Sequence, residues 1–124
     1  MDEVRLNHMP LIGPGMWNLL HAFAIEATNE TNKDHFEYFV KILNSRVKCD
    51  NCSKDFEFFL KTHPLHLYRN IITEKGIEIG YYQWSCEFHN YVNKKLGKLE
   101  VPMKKSYKFF LNSTNPCVSC TALQ

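Results

Sequence analysis

Cysteine spacing is the first chemical signal in this sequence. Four of the five cysteines form two C-x-x-C pairs, Cys49 with Cys52 and Cys117 with Cys120, and Cys86 is separate from both. We expect no secretory signal, and in such a chain these pairs are typical of redox-active dithiols or metal ligands. The first pair also falls at a predicted helix N-terminus, where unpaired amide groups and the helix dipole favour a thiolate. The pattern therefore predicts thiol-disulfide or metal chemistry.

A zinc site is the alternative to redox chemistry. The two pairs together supply the four thiolates that a structural zinc ion binds. The segment between them is far longer than the roughly 15 to 20 residues that commonly separate two zinc-binding pairs. The spacing makes zinc the weaker hypothesis, but the residues alone leave both open.

A second group of candidate residues lies on the predicted helix that contains Cys86. One side of this helix is polar and consists of Cys86, His89, Asn90 and Asn93. The opposite side is largely aromatic and consists of Trp84, Phe88, Tyr91 and Lys95. Buried amides and imidazoles need hydrogen-bond partners, which a ligand with ring nitrogens and hydroxyls provides. Trp17, His21 and Ala24 share a face of an earlier helix, so we expect a slot for a large planar cofactor between the two helices.

The elements that position these residues are all predicted to be helices. The first covers about 14–28; the second has Thr31 or Asn32 as its N-cap and fades near Val47. The third runs from the first cysteine pair to the His63-Pro64 step, and residues 63–78 form an irregular connection. The fourth begins near Gly80 and ends at Gly97; Pro102 opens a short fifth with Tyr107, Phe110 and Leu111 facing inward. The predicted fold is all-α.

Composition limits the function classes. The chain has 124 residues, a formal charge of +2, and 44% hydrophobic and 14% aromatic residues. This is enough core material for one folded domain, over residues 1–111, followed by a turn-rich tail at 112–124. The weak net charge argues against a dedicated nucleic-acid binder, and no apolar run is long enough to cross a bilayer.

The sequence resembles the Erv/ALR family of FAD-dependent sulfhydryl oxidases over residues 13–111. The most specific stretch, residues 83–98, is similar to the family pattern W-x-C-x-x-H-N-x-V-N-x-x-L-x-K. Gly13-x-x-x-Trp17-x-x-x-His21 resembles its first FAD motif, and Cys49-x-x-Cys52 resembles its redox-active disulfide. The usual partner cysteine for position 86 is missing after Lys98, so we expect Cys86 to be an unpaired thiol.

The resemblance implies a four-helix bundle with a short fifth helix, FAD at the mouth of the bundle, and a homodimer. It implies that FAD is held by Gly13, Met16, Trp17, His21, Cys86, His89, Asn90, Val92 and Asn93. The looser candidates, near the phosphates or the adenine, are Lys95, Lys98 and Tyr107.

The resemblance also implies a thiol oxidase that makes disulfides in a dithiol client protein, directly or through a thioredoxin-like intermediary. The tail pair, Cys117 and Cys120, would pass electrons to Cys49 and Cys52, with Cys52 against the flavin. FAD would then pass them to molecular oxygen, giving hydrogen peroxide. The rival from another class is a zinc-stabilised helical interaction module, and a thioredoxin-like reductase would need a βαβ pattern that this sequence lacks.

The short sequence is similar to the minimal oxidases of large cytoplasmic DNA viruses. This similarity favours the host cytoplasm or the virion, with the mitochondrial intermembrane space as the alternative. We expect no nucleic-acid or membrane partner.

Overall fold

The computed structural model describes residues 14–47 and 50–113, which form five α-helices. They are α1 (Pro14–Ile25), α2 (Glu30–Arg46), α3 (Asp50–Thr62), α4 (Gly80–Lys95) and α5 (Met103–Ser113). A short 3-10 helix, Leu65–Leu67, lies between α3 and α4. The described residues contain no strand, only an isolated bridge between Ile72 and Glu78. The predicted all-α fold, with four main helices and a short fifth, is confirmed.

Aromatic side chains form the core where α2, α3 and α4 meet. Trp84 of α4 is completely buried, and its ring contacts Phe36 of α2 and Phe59 of α3. Its indole N–H donates to the carbonyl oxygen of His63 at 2.8 Å, so the single polar atom of the Trp84 side chain is paired. Phe88, one turn further along α4, packs on both Trp84 and Phe59. The aromatic side of α4 therefore faces the core, and its polar side is available for a site.

The connection between α3 and α4, residues 63–79, is tied to α2 by charged side chains. Arg69 donates to Glu37 at 2.5 Å, and the buried Lys33 donates to Glu78 at 2.5 Å. An ammonium group can be buried in this way only when a carboxylate pairs with it. The connection is largely irregular, as predicted. These ion pairs hold it in one position, and they fix where α4 begins.

Two predicted helix boundaries are wrong. α1 ends at Ile25 instead of near residue 28, and the N-cap of α2 is Asn29 instead of Thr31 or Asn32. The Asn29 backbone is extended, with φ −132° and ψ 168°, and its side-chain oxygen accepts from the Asn32 backbone N–H at 2.8 Å. A residue in this conformation begins a helix and cannot lie inside one. The local hydrogen bond thus decides where α2 begins.

The predicted ends of α4 are confirmed, but one of the residues of α5 predicted to face inward does not. Gly97 follows α4 in the left-handed conformation, with φ 73°. At Gly80, a Cβ atom would lie 1.6 Å from the Tyr68 carbonyl oxygen, so no larger residue fits at the start of α4. In α5, Phe110 is buried whereas Leu111 is 49% exposed, so the inward prediction for Leu111 is wrong. Neighbouring residues of a helix point in directions about 100° apart, and on α5 this turns Leu111 away from the face that buries Phe110.

Of the predicted tail, residues 112–124, the structure describes only the first two residues, and these belong to α5. Residues 114–124 lie outside the described part of the chain. None of the helices formed by residues 14–47 and 50–113 has the length and apolar character required to span a membrane.

Candidate functional site

Two histidines from different helices form a hydrogen-bonded pair at the centre of the candidate site. Nε2 of His21, on α1, lies 2.9 Å from Nδ1 of His89, on α4. Nδ1 of His21 lies 2.8 Å from Oγ of Ser85, which is one turn before His89 on α4. Burial, with a smaller effect from His89, lowers the pKa of His21 to about 3. Burial and the positive charge of Lys98 lower the pKa of His89 to about 4, so both imidazoles are neutral near pH 7.

An aromatic stack holds this pair in place. The Trp17 ring lies parallel to the His89 ring, with centroids 4.0 Å apart and planes inclined by 5°. Phe88 contacts Trp17 edge-on at 5.2 Å, and Phe56 of α3 contacts Phe88 at 4.8 Å. The stack thus connects α1, α4 and α3, and it fixes the plane of the His89 ring.

The first turn of α3 places Cys52 on the same side of the bundle. Cys52 is the third residue of α3, so it lies at a helix N-terminus as predicted. Its side chain is half-buried. It precedes Phe56 by four residues, and residues at this spacing share a helix face. Because Phe56 is buried against Phe88, that face of α3 is directed toward the aromatic stack.

A cavity of about 540 Å³ opens beside the histidine pair. α1 and α4 contribute Asn18, His21, Cys86, His89 and Asn90. The opposite wall consists of Leu99, Glu100, Val101, Pro102, Lys105, Ser106, Phe109 and Phe110. A concave, largely apolar wall with a few polar groups is typical of a cofactor site.

Cys86 is a buried thiol in the wall of this cavity. Its sulfur lies 3.5 Å from Oγ of Ser106, on α5. Ser106 also accepts a hydrogen bond from the Tyr82 hydroxyl at 2.7 Å and donates to the Met103 carbonyl oxygen at 3.1 Å. Burial raises the pKa of the Cys86 thiol. Cys86 has no disulfide partner among the residues that the structure describes, so it lies there as a neutral thiol.

The side-chain amide of Asn90 forms two hydrogen bonds to the backbone of Val101. It donates to the Val101 carbonyl oxygen at 2.9 Å and accepts from the Val101 backbone N–H at 2.8 Å. Asn93 is buried, donates to Asn90 at 3.5 Å, and does not line the cavity. Asn90 thus holds the segment 99–102 against α4, and Asn93 lies next to Asn90.

The remaining described candidates are not brought to the cavity. Met16, Val92 and Tyr107 pack against the hydrophobic core. The Lys95 ammonium pairs with Asp55 of α3 at 2.9 Å, on the side of α4 opposite the cavity. Lys98 is exposed just after α4 and does not line the cavity, but its positive charge adds to burial in lowering the pKa of His89.

The other candidates lie outside the described residues. They are Gly13, Cys49, Cys117 and Cys120. The zinc hypothesis requires the last three of these. Among residues 14–47 and 50–113, no group of three or more His, Cys, Asp or Glu side chains is arranged to hold a metal ion.

Sequence reasoning missed Ser85 and most of the second wall. Ser85 could have been found, because it lies four residues before His89 and so on the same helix face. The segment 99–102 carries no periodic signal, and its role depends on its contact with Asn90.

Comparison with known proteins connects this geometry to a family. The family model described as Erv1 / Alr matches residues 14–115. The match includes all five helices and both walls of the cavity. The chain belongs to the Erv1/Alr family.

Several curated Erv1/Alr relatives are similar to this chain. The mitochondrial FAD-linked sulfhydryl oxidase ERV1 of Saccharomyces cerevisiae is 32% identical over 90 residues, which cover 70% of this chain and 43% of the relative. The FAD-linked sulfhydryl oxidase ERV1 of Arabidopsis thaliana is 30% identical over 98 residues, 76% of this chain and 47% of the relative. The FAD-linked sulfhydryl oxidase of African swine fever virus is 33% identical over 89 residues, 69% of this chain and 68% of the relative. This chain thus spans less than half the length of the yeast and plant relatives that it matches.

Proposed function

We propose that this protein is an FAD-linked sulfhydryl oxidase that makes disulfide bonds in other proteins. The names of the yeast, plant and viral relatives support this activity. The observation that carries the proposal is the cavity lined by His21 and His89, with Trp17 stacked on His89 and the helix of Cys52 packed against the same stack.

The residues around the cavity fit a bound FAD. Its volume of about 540 Å³ is in the range of cofactor sites. The wall is largely apolar, and His89 exposes a ring nitrogen, Nε2, that has no hydrogen-bond partner among the described residues. His21, Cys86 and His89, with Trp17 stacked on His89, would hold the cofactor on one side, and segment 99–102 with α5 would enclose it on the other.

The protein's own contribution to the reaction is thiolate chemistry. A client thiolate attacks the Cys117–Cys120 disulfide and forms a mixed disulfide. The second client thiolate then attacks this bond, so the client gains a disulfide and the tail pair is left as two thiols. The tail pair reduces the Cys49–Cys52 disulfide in the same way, and the N-terminus of α3 stabilises the Cys52 thiolate that forms. When bound, FAD would supply the two-electron acceptor that this pair requires, with molecular oxygen as the final acceptor and hydrogen peroxide as the product.

The partners and the location belong to the same proposal. We infer a dithiol client protein or a thioredoxin-like intermediary as the electron donor, molecular oxygen as the acceptor, and a homodimer as the working form. We infer the host cytoplasm or the virion as the location, for which the existence of a viral relative is the support, with the mitochondrial intermembrane space as the alternative, for which the support is that the yeast relative is mitochondrial.

Absorption and oxygen consumption test the oxidase proposal. The purified full chain should be yellow with bound FAD, and it should consume oxygen and release hydrogen peroxide when dithiothreitol is added. Cys52→Ser should abolish oxygen consumption and keep the flavin, whereas Lys54→Ala, an exposed change in the same helix, should keep both. A colourless protein with stoichiometric zinc, or turnover that survives Cys52→Ser, would contradict the proposal.

Deletion of residues 115–124 tests the role of the tail pair. If the tail pair is a shuttle, a small dithiol should reduce the Cys49–Cys52 disulfide directly, whereas a folded client should require the tail pair. The deletion should therefore spare dithiothreitol oxidation and depress oxidation of a reduced protein substrate. The double substitution Cys117→Ser, Cys120→Ser should give the same result with the tail in place. Equal loss of both activities, or no loss of protein oxidation, would remove the shuttle role.

A further inference from the structure

Ser85 makes two hydrogen bonds whose directions depend on each other. The residue is completely buried in α4, and its hydroxyl donates to the Tyr82 carbonyl oxygen at 2.8 Å. A hydroxyl has one proton, and a carbonyl oxygen can only accept. The second contact of Ser85, at 2.8 Å from His21 Nδ1, must therefore be one in which the histidine donates. Nδ1 of His21 thus carries a proton.

The proton on His21 Nδ1 determines the next bond. A neutral imidazole has one N–H, so Nε2 of His21 carries a lone pair and accepts. Its partner at 2.9 Å is Nδ1 of His89, which must therefore donate. His89 is neutral as well, and its remaining nitrogen, Nε2, is left as an acceptor. The four groups form a directed series from His89 to His21 to Ser85 to the Tyr82 carbonyl, which we call the histidine relay.

We propose that Ser85 is a positioning residue: through the histidine relay it fixes His89 in the Nδ1–H tautomer, so that Nε2 accepts a hydrogen bond from an N–H or O–H group of the ligand. His89 lines the cavity, its plane is fixed by Trp17, and Nε2 has no hydrogen-bond partner among the described residues. The identity of the ligand rests on the proposed function, since FAD carries N–H and O–H donors. The tautomers themselves do not depend on it.

Loss of the Ser85 hydroxyl should reverse the relay. In Ser85→Ala, His21 Nδ1–H faces a methyl group, and a buried donor without an acceptor is unfavourable. His21 can avoid this by moving its proton to Nε2, from which it donates to Nδ1 of His89. His89 must then carry its proton on Nε2, where a ligand donor would meet another donor.

Nitrogen NMR of the histidine side chains in the full-length protein tests the tautomers directly. We expect His21 and His89 to be Nδ1–H in the unsubstituted protein and Nε2–H in Ser85→Ala. The matched control is Ser45→Ala, because Ser45 donates to the Ile42 carbonyl oxygen at 2.7 Å at an exposed position of α2. This control removes the same local hydrogen bond outside the site and should leave both tautomers unchanged. An Nε2–H tautomer of His89 in the unsubstituted protein would overturn the proposal. This outcome can be measured without any variant.

FAD titration tests the consequence for the ligand. FAD should bind to Ser85→Ala more weakly by roughly tenfold or more, which is the effect of one mismatched buried hydrogen bond. Ser45→Ala should bind it like the unsubstituted protein. Reversed tautomers with unchanged affinity would overturn the acceptor role of His89. If the unsubstituted protein binds no FAD but shows the Nδ1–H tautomers, the proposed function fails while the relay stands.

Discussion

The two cysteines within the described residues have opposite environments. Cys52 is half-buried in the first turn of α3, where the helix dipole favours a thiolate. Cys86 is 6% exposed, and burial raises the pKa of its thiol. The nucleophile in disulfide exchange is the thiolate, so these environments support the proposal that the exchange takes place at Cys52 and not at Cys86.

Alkylation measures the effect of burial on Cys86. In the folded protein, Cys86 should react with iodoacetamide at pH 8 at least several-fold more slowly than in the protein unfolded by guanidinium, because both the thiolate fraction and access are reduced. Mass spectrometry of the labelled peptides gives the rate for this position alone. Equal rates in the folded and unfolded states would show that the thiol is accessible and ionised.

At the scale of elements, the sequence predicts helices well and their contacts poorly. The aromatic side of α4 is confirmed because helical periodicity is a local property, and Gly97 ends that helix because its φ of 73° suits glycine. The N-cap of α2 is wrong because three neighbouring polar residues are equally good caps by type, and only the backbone decides for Asn29. The polar side of α4 was predicted from the sequence, but the contact of Asn90 with Val101 is tertiary and leaves no signal in either segment.

The Asn90 contact gives a prediction for the segment 99–102. Asn90→Ala removes two hydrogen bonds to Val101 and should cost about 1 to 2 kcal/mol of stability. Hydrogen exchange should increase in segment 99–102, and FAD should dissociate faster because one wall of the cavity is loosened. The matched control is Asn44→Ala, since Asn44 also bonds from one helix to another, to Glu57 at 3.3 Å, away from the cavity.

Faster exchange confined to α4 in Asn90→Ala, with segment 99–102 unchanged, would mean that another contact holds this wall. Faster FAD dissociation in Asn44→Ala as well would mean that the effect is one of general stability.

At the scale of the whole molecule, folding keeps two histidines uncharged. His21 and His89 lie between α1 and α4, and burial lowers the pKa of both below the ordinary value of 6.5. Below pH 6.5, the unfolded chain binds protons that the folded chain does not, so acid favours unfolding. The stability that comes from these groups is complete above pH 6.5 and decreases as the pH falls toward about 4.

Unfolding by urea at pH 7.5 and pH 5.0 should show this loss. Each histidine should contribute about 1 to 2 kcal/mol to the decrease. The contribution of His89 should be the smaller, because solvent would partly screen its charged form in the folded protein. The pH interval stays above the ordinary glutamate value of 4.5, so carboxylates such as Glu30 contribute little. His89→Asn should reduce the decrease, whereas His66→Asn, a change at an exposed histidine, should not. With FAD content matched at the two pH values, an equal decrease in His89→Asn and the unsubstituted protein would show that His89 is charged in the folded state, against the neutral pair that the structure indicates.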